Sequence, residues 1–286
     1  MLAKKSEAGI VPKGDYSYEL KWDGIRAIIV CDSFTIRIFS RSGRDITEQF
    51  PELCRTGPKV LKSGVYDAEI CCHNEDDIPS FPLVTSRLHL GSGHTQAART
   101  NPATAYLFDL LEVGGETLIG ETYTTRRHRL GESMLDRSLY WEVSGIFEDG
   151  HGLLRRVREE GREGIMAKHN KSPYYPGKRR NSWIKVKVKF HEDVLIVGYT
   201  DGLGKRDGAF GALILEDLEG NPCGRVGTGF TDKELLRIFA RLHDCGIRET
   251  SKGIHWLNRA LSCEIEYMTN TGGARREPVF RGLKDD

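Results

Sequence analysis

ELKWDGIRA, residues 19–27, is the stretch whose reading decides this chain. Leading into it, Tyr16, Tyr18, Leu20 and Trp22 alternate with polar positions, the period of a half-buried strand. Downstream, RAIIVC and FTIRIFS read as two more strands, with Asp32-Ser33 as the turn between them. Within K-x-D-G-x-R, Gly24 permits a tight turn or a close backbone approach. Arg26 offers a planar fork suited to phosphate. Asp23 suits the shaping of the turn or a cationic partner better than a metal. Lys21 reads as a solvated side chain unless its ammonium can lose a proton, in which case it is a nucleophile. With an ordinary pKa of about 10.4, roughly one lysine in 2,500 is neutral at pH 7. Lowering that value by about 3 units takes burial or nearby cations. Other basic groups are therefore expected to converge on Lys21.

A second stretch supplies them. GKRRNSWIKVKVK, residues 177–189, holds six basic residues and no acid. As a strand it turns Ile184, Val186 and Val188 one way and Lys185, Lys187 and Lys189 the other. Such a strand either aims several ammonium groups at a triphosphate beside Lys21 or is an edge strand guarded by lysines. TTRRHRL, residues 124–130, adds three arginines and a histidine. Arg127 within it is a weaker phosphate candidate, because an arginine-rich helix face is common.

The totals set the frame. The 286 residues carry 42 basic and 41 acidic side chains, a net charge of +1, so any nucleic-acid contact has to come from a local basic face. No apolar run is long enough to span a membrane, and MLAKKSEAG lacks the apolar core of a secretory signal. The expectation is a cytoplasmic protein with no membrane association. Seven scattered cysteines, none in a C-x-x-C pair, read as reduced, buried thiols. His73, His94 and His169 have no ligand spacing. GVYDAEICC, AYLFDLLEV, GIMAKH and SWIKVKVK read as strands. TTRRHRLGESML and GLLRRVREEG read as helices, an α+β mixture rather than a regular βαβ series. After Lys189 the texture changes to short strands split by glycine turns. One helix, TDKELLRIFARLHDCG, has a Thr231/Glu234 capping box and Gly246 as its stop. LSCEIEYM reads as the last strand. Residues 1–189 are expected to form a domain of antiparallel sheets flanked by helices, and residues 190–286 a small OB-fold β-barrel.

Taken together the residues resemble the ATP-dependent DNA ligases of the nucleotidyltransferase superfamily. The likeness is greatest to the ligase domain of bacterial end-joining ligases and their stand-alone relatives. The family's motifs stand in their order over essentially the whole chain. The resemblance implies that Lys21 of KWDGIR becomes covalently adenylylated. Arg26 and Arg41, the latter in SRSGRDIT, would contact phosphate. Glu69 of VYDAEI would contact the ribose and join Glu163 of EGIMAK in holding a metal. Phe108 of YLFDLL would stack on adenine, and Glu19 would lie near the adenine amino group. Lys185 and Lys187 of WIKVK would hold phosphates. In RREPVFRGLKDD, Arg276 and Phe280 match the barrel-domain motif, with Arg276 and Lys284 brought to the outer phosphates when the barrel covers the site. The departures are Lys284 where the family has arginine, Ala68 in place of glycine before Glu69, and Asp286 where a further basic residue usually follows. That further residue orients the leaving pyrophosphate, so its lack bears on self-adenylylation.

The implied cofactors are ATP and Mg²⁺ or Mn²⁺. Lys21 would attack the α-phosphorus and expel pyrophosphate, AMP would pass to a 5′-phosphate, and a 3′-OH would then seal the strand. The implied partners are nicked or broken duplex DNA, with a Ku-like end-binding protein or a polymerase beside it, and the chain is expected to act as a monomer in the nucleoid. Three alternatives stay open: an mRNA-capping guanylyltransferase, which shares KxDGxR but uses GTP; an RNA ligase; and a nick-binding module without catalysis.

Overall fold

The computed structural model describes residues 1–6, 9–268, 270–271 and 274–284. The chain divides into two compact units, Met1–Val188 and Lys189–Asp286, a division one residue before the expected boundary. Asp285 and Asp286, the end of the expected phosphate-binding motif, lie outside the described residues.

The first unit opens with β1 (Leu2–Lys5), β2 (Tyr16–Leu20), β3 (Ile25–Cys31) and β4 (Ile36–Ser40). Then come α1 (Pro51–Val60), β5 (Gly64–Cys72), α2 (Phe81–His89), α3 (His94–Thr100), β6 (Ala103–Val113) and β7 (Glu116–Thr117). It closes with α4 (Tyr123–Ser133), β8 (Trp141–Val143), α5 (Gly150–Glu159), β9 (Gly164–His169) and β10 (Arg179–Lys187). The larger sheet runs β4-β3-β5-β6-β7 with β8 beside β6, and the smaller runs β1-β10-β9-β2. Only the β1–β10 and β6–β8 pairs are parallel among the described strands of this unit.

The strands β5 and β6 are largely buried on both faces because they are central in the larger sheet. Their side chains join Ile29, Ile38, Phe50, Leu53 and Trp141 in one core. The helices α1, α2 and α4 pack on this sheet, and α5 packs on the smaller one. In α5, the Asp149 side chain caps the amides of His151 and Gly152 at 3.0 and 2.9 Å. Helices α1 to α3 are additions to the sequence reading. Gly57 and Pro58, both poor helix formers, mask α1. Gly57 sits there for packing, since a Cβ would press into Ile36 and Trp141.

The second unit contains β11 (Phe190–Asp201), β12 (Phe210–Glu216), β13 (Pro222–Val226), α6 (Asp232–Asp244), β14 (Ile247–Ser251) and β15 (Ile254–Tyr267). A short pair, β16 (Asn270–Thr271) and β17 (Ala274–Arg275), precedes β18 (Val279–Leu283). Its main sheet runs β13-β12-β11-β15-β14, with β18 also on β15. The core includes Val194, Ile196, Phe210, Leu213, Ile238, Leu242, Ile265 and Phe280. LSCEIEYM is therefore not the last strand. The segment after it also pairs, because buried Phe280 stacks on Phe230 at 4.8 Å and anchors an otherwise polar stretch.

All seven cysteines are unpaired thiols, six of them buried. No described helix is long and apolar enough to cross a membrane.

The capping box of α6 is formed in both directions between Thr231 and Glu234, and Gly246 takes a φ of +69° just past the helix end. Thr231→Ala should lower the unfolding free energy of the second unit by about 1 kcal/mol, read as a lower midpoint in urea at unchanged slope.

Candidate active site

A partly open cleft with about 730 Å³ of empty space is lined from both sheets of the first unit. Lys21 enters it just beyond the end of β2. Two glycines let the chain reach this geometry. A Cβ on Gly24 would overlap the Ile70 carbonyl and the Cys71 sulfur, so KWDG lies directly on β5. The function of Gly24 is thus close approach. Gly164, at φ +152°, has Val186 backbone where its Cβ would go. The Lys21 amide donates to the Gly164 carbonyl at 2.9 Å.

The Lys21 ammonium is ion-paired with Glu163, and Lys187 Nζ lies 3.3 Å from the other Glu163 oxygen. Glu163 is only 6% exposed. Of the three lysines expected to aim one way, Lys185 lines the cleft, while Lys187 is spent on Glu163 from behind. Lys189 is elsewhere: it belongs to the second unit and pairs with Glu266 at 2.7 Å. Burial lowers the pKa of Lys185, and repulsion from Lys187, Lys21 and Arg179 lowers it further. Basic groups do converge here, as the sequence requires of a lysine nucleophile.

Glu19 and Phe108 meet deeper in the cleft through a residue the sequence reading passed over. Lys168, 1% exposed, lies 2.8 Å from Glu19 and donates to the Phe108 carbonyl at 3.1 Å. Its ammonium sits 4.4 Å from the ring centroids of both Phe108 and Trp183. Tyr123 donates its hydroxyl to Glu19 from the other side. Burial pushes the Lys168 pKa down, and Glu19 and Asp109 pull it back up. The signal for Lys168 was present in GIMAKH: Met166 and Lys168 are two apart on β9, and both line the cleft.

Arg26 lines the cleft, but its guanidinium is committed. It grips Asp67 through two bonds of 2.9 and 2.6 Å and also donates to Tyr174 and the Met1 carbonyl. A phosphate at Arg26 would have to share it with Asp67. Arg41 is exposed at the rim of the cleft. Arg127 is no phosphate ligand in this arrangement. It is buried, and donates to the carbonyls of Leu107 and Ser144. Arg276 and Lys284 lie in the second unit, where Lys284 Nζ is 3.1 Å from Asp193 and 3.3 Å from Glu264.

Glu69 faces the cleft from β5. Burial raises its pKa to about 8, against the pull of Lys21 and Arg26. Among the described residues no group of three or more His, Cys, Asp or Glu is placed to cage a metal.

Lys21 has a second neighbour of note. Trp22 stacks on Tyr106 with centroids 3.5 Å apart and planes 10° from parallel, and its indole N–H donates to Ser144 Oγ at 3.0 Å. Tyr106 OH in turn lies 3.0 Å from His73 Nε2.

Antiparallel sheets around a lysine-bearing cleft, followed in sequence by a small barrel, are the architecture of the nucleotidyltransferase superfamily. Residues 1–187 match the family described as ATP dependent DNA ligase domain, and residues 206–286 match the ATP dependent DNA ligase C terminal region. The chain belongs to the ATP-dependent DNA ligases. It is 31% identical, over its whole length, to the multifunctional non-homologous end joining protein LigD of Mycolicibacterium smegmatis, of which it covers 38%. It thus spans about two fifths of the length of the curated relatives it resembles. Its fold matches the solved ligase domain of Mycobacterium tuberculosis LigD at a TM-score of 0.57 and 28% identity, covering all of this chain and 94% of that one. A mycobacterial DNA ligase D complexed with ATP and MES matches at 0.55 and 29%, over 94% of this chain and 89% of that one.

A carboxyl whose native pKa lies above its unfolded value favours the fold at low pH, and that contribution is lost as pH rises through the native value. For Glu69 the window runs from its ordinary 4.5 up to about 8. Glu69→Gln removes the penalty. The melting temperature of the nucleotide-free variant should gain on the parent as pH rises from about 4.5 to about 8 and level off above that, as read by a thermal scan across the range.

Proposed function

We propose that this chain seals 5′-phosphate/3′-OH breaks in duplex DNA by way of a lysine–AMP intermediate on Lys21. The observation that carries this is the placement of the Lys21 ammonium in the cleft, in contact with Glu163 and with Lys185 on the same wall. Lys21 Nζ gives up a proton, attacks the α-phosphorus of ATP, and the bond to the bridging oxygen breaks to release pyrophosphate. Glu163 is the base in contact with that nitrogen. Covalent capture divides one hard displacement into easier ones, and the protein's share is positioning and charge stabilisation.

Adenine would lie against Phe108, with its amino group toward Glu19, an acceptor ring nitrogen toward Lys168, and the ribose toward Glu69. Lys185 and Arg41 line the cleft where the phosphates would leave it, and Arg276 and Lys284 would serve the outer phosphates. Glu69 and Glu163 present carboxylate oxygens, the donors a hard cation prefers, and would hold a Mg²⁺ or Mn²⁺ there. Such an ion neutralises charge on the phosphates.

The name of the Mycolicibacterium relative, a non-homologous end joining protein, supports work on double-strand ends; sealing of nicks and a place in the cytoplasm at the nucleoid go with the same reading. A Ku-like end-binding protein or a polymerase would then bring the ends together, with this chain acting as a monomer.

The test is direct. After incubation with Mg²⁺ and α-labelled ATP, the denatured chain should carry label, and Lys21→Ala should carry none. Labelled GTP should give no adduct. Label from GTP alone would make the protein a capping-type guanylyltransferase. No label from either, and no sealing of a pre-adenylylated nick, would leave a nick-binding module.

A further inference from the structure

We infer that Trp22 is a positioning residue for Lys21, seated by Tyr106 and Ser144 so that the nucleophile's backbone is fixed before ATP arrives. The inference rests on the lysine-nucleophile reading and assigns a role to a residue that reading leaves unused.

The segment from Lys21 to Gly24 is held at successive points by different parts of the fold. The Lys21 amide is bonded to the carbonyl of Gly164 at 2.9 Å. The Trp22 ring lies face to face with Tyr106 of β6, 3.5 Å between centroids. Its indole N–H donates to Ser144 Oγ, just past β8. Gly24 rests on the backbone of β5 with no room for a side chain. A lysine has four rotatable bonds, so its amine is only as well placed as the backbone it springs from. Reacting groups must come within about 3–3.5 Å in line, and a misplacement of about 1 Å can cost a hundredfold in rate.

Trp22 has the right position to supply that precision. Trp22 is also one of the residues that line the cleft. Its seat is itself supported. The Ser144 amide donates to the Leu107 carbonyl at 2.8 Å, and buried Arg127 donates to the carbonyls of both residues. Arg127 thereby acts through Ser144 and Trp22.

The experiment measures the single-turnover rate of lysyl–AMP formation against ATP concentration. Trp22→Ala should lower the maximal rate by about ten- to a hundredfold, with the half-saturating ATP concentration within about twofold of the parent. Trp22→Phe keeps a stacking ring but lacks the indole N–H, so it should recover the rate only to about the level of Ser144→Ala. Ser144→Ala removes one hydrogen bond and should cost about three- to tenfold in the same maximal rate. If Trp22→Ala labels as fast as the parent, the inference is wrong. It is equally wrong if rate and ATP affinity fall together and Trp22→Phe restores neither, since Trp22 would then be holding the fold alone. If the parent chain takes no label at all, the lysine-nucleophile reading itself fails, which is a different result from a parent that labels and a variant that keeps pace with it.

Discussion

Glu163 lies between two ammonium groups, Lys21 and Lys187, with almost no exposure to water. Each of the three would be costly to bury alone. Together they tie the end of β2, the start of β9 and the end of β10 into one corner of the smaller sheet. The Val188 amide adds a bond to the Glu163 carbonyl at 3.0 Å. On the proposed mechanism the Lys21–Glu163 contact is the one through which the ammonium gives up its proton. Lys187 holds the other Glu163 oxygen throughout.

The same logic recurs around the rest of the cleft. Asp67 and Asp109 are fully buried on β5 and β6, and each is gripped by two bonds from an arginine, Arg26 and Arg126. Paired this way the carboxylates are tolerated, whereas removing one partner from such a pair typically costs about 3–5 kcal/mol. Glu19 has Lys168 and Tyr123. The wall facing a nucleotide is thus built from charges already satisfied among themselves. Glu69 is the exception, a carboxyl facing the cleft at a cost in its charged form, which a cation or a ribose hydroxyl would relieve.

The sequence made some of this legible and hid the rest. KWDGIR and WIKVK announced themselves because several functional residue types crowd into a few positions. The α6 helix was readable because its capping box and its terminal glycine are local signals. Lys168 and Trp22 were harder. Each looks like an ordinary member of an alternating strand, and its importance comes from partners far away in the chain: Glu19 and Phe108 for one, Tyr106 and Ser144 for the other. Arg127 misled for the complementary reason, since a sequence cannot distinguish an arginine that faces solvent from one whose head group is buried against two carbonyls. The β18 strand was hidden because a single buried aromatic, Phe280, carries a polar segment into the sheet.

The two glycines beside Lys21 have a consequence for how such a chain can vary over generations. Every other amino acid carries a Cβ, and at Gly24 and Gly164 that one carbon would overlap backbone of the neighbouring strand. There is no graded series of acceptable neighbours at these codons, as there is at a core leucine that can pass through methionine or isoleucine. Drift elsewhere in the cleft can proceed by small steps, with one residue compensating another. At these two positions the first missense change is also the largest, so the loop bearing Lys21 is held in place by the genetic code as firmly as by its hydrogen bonds.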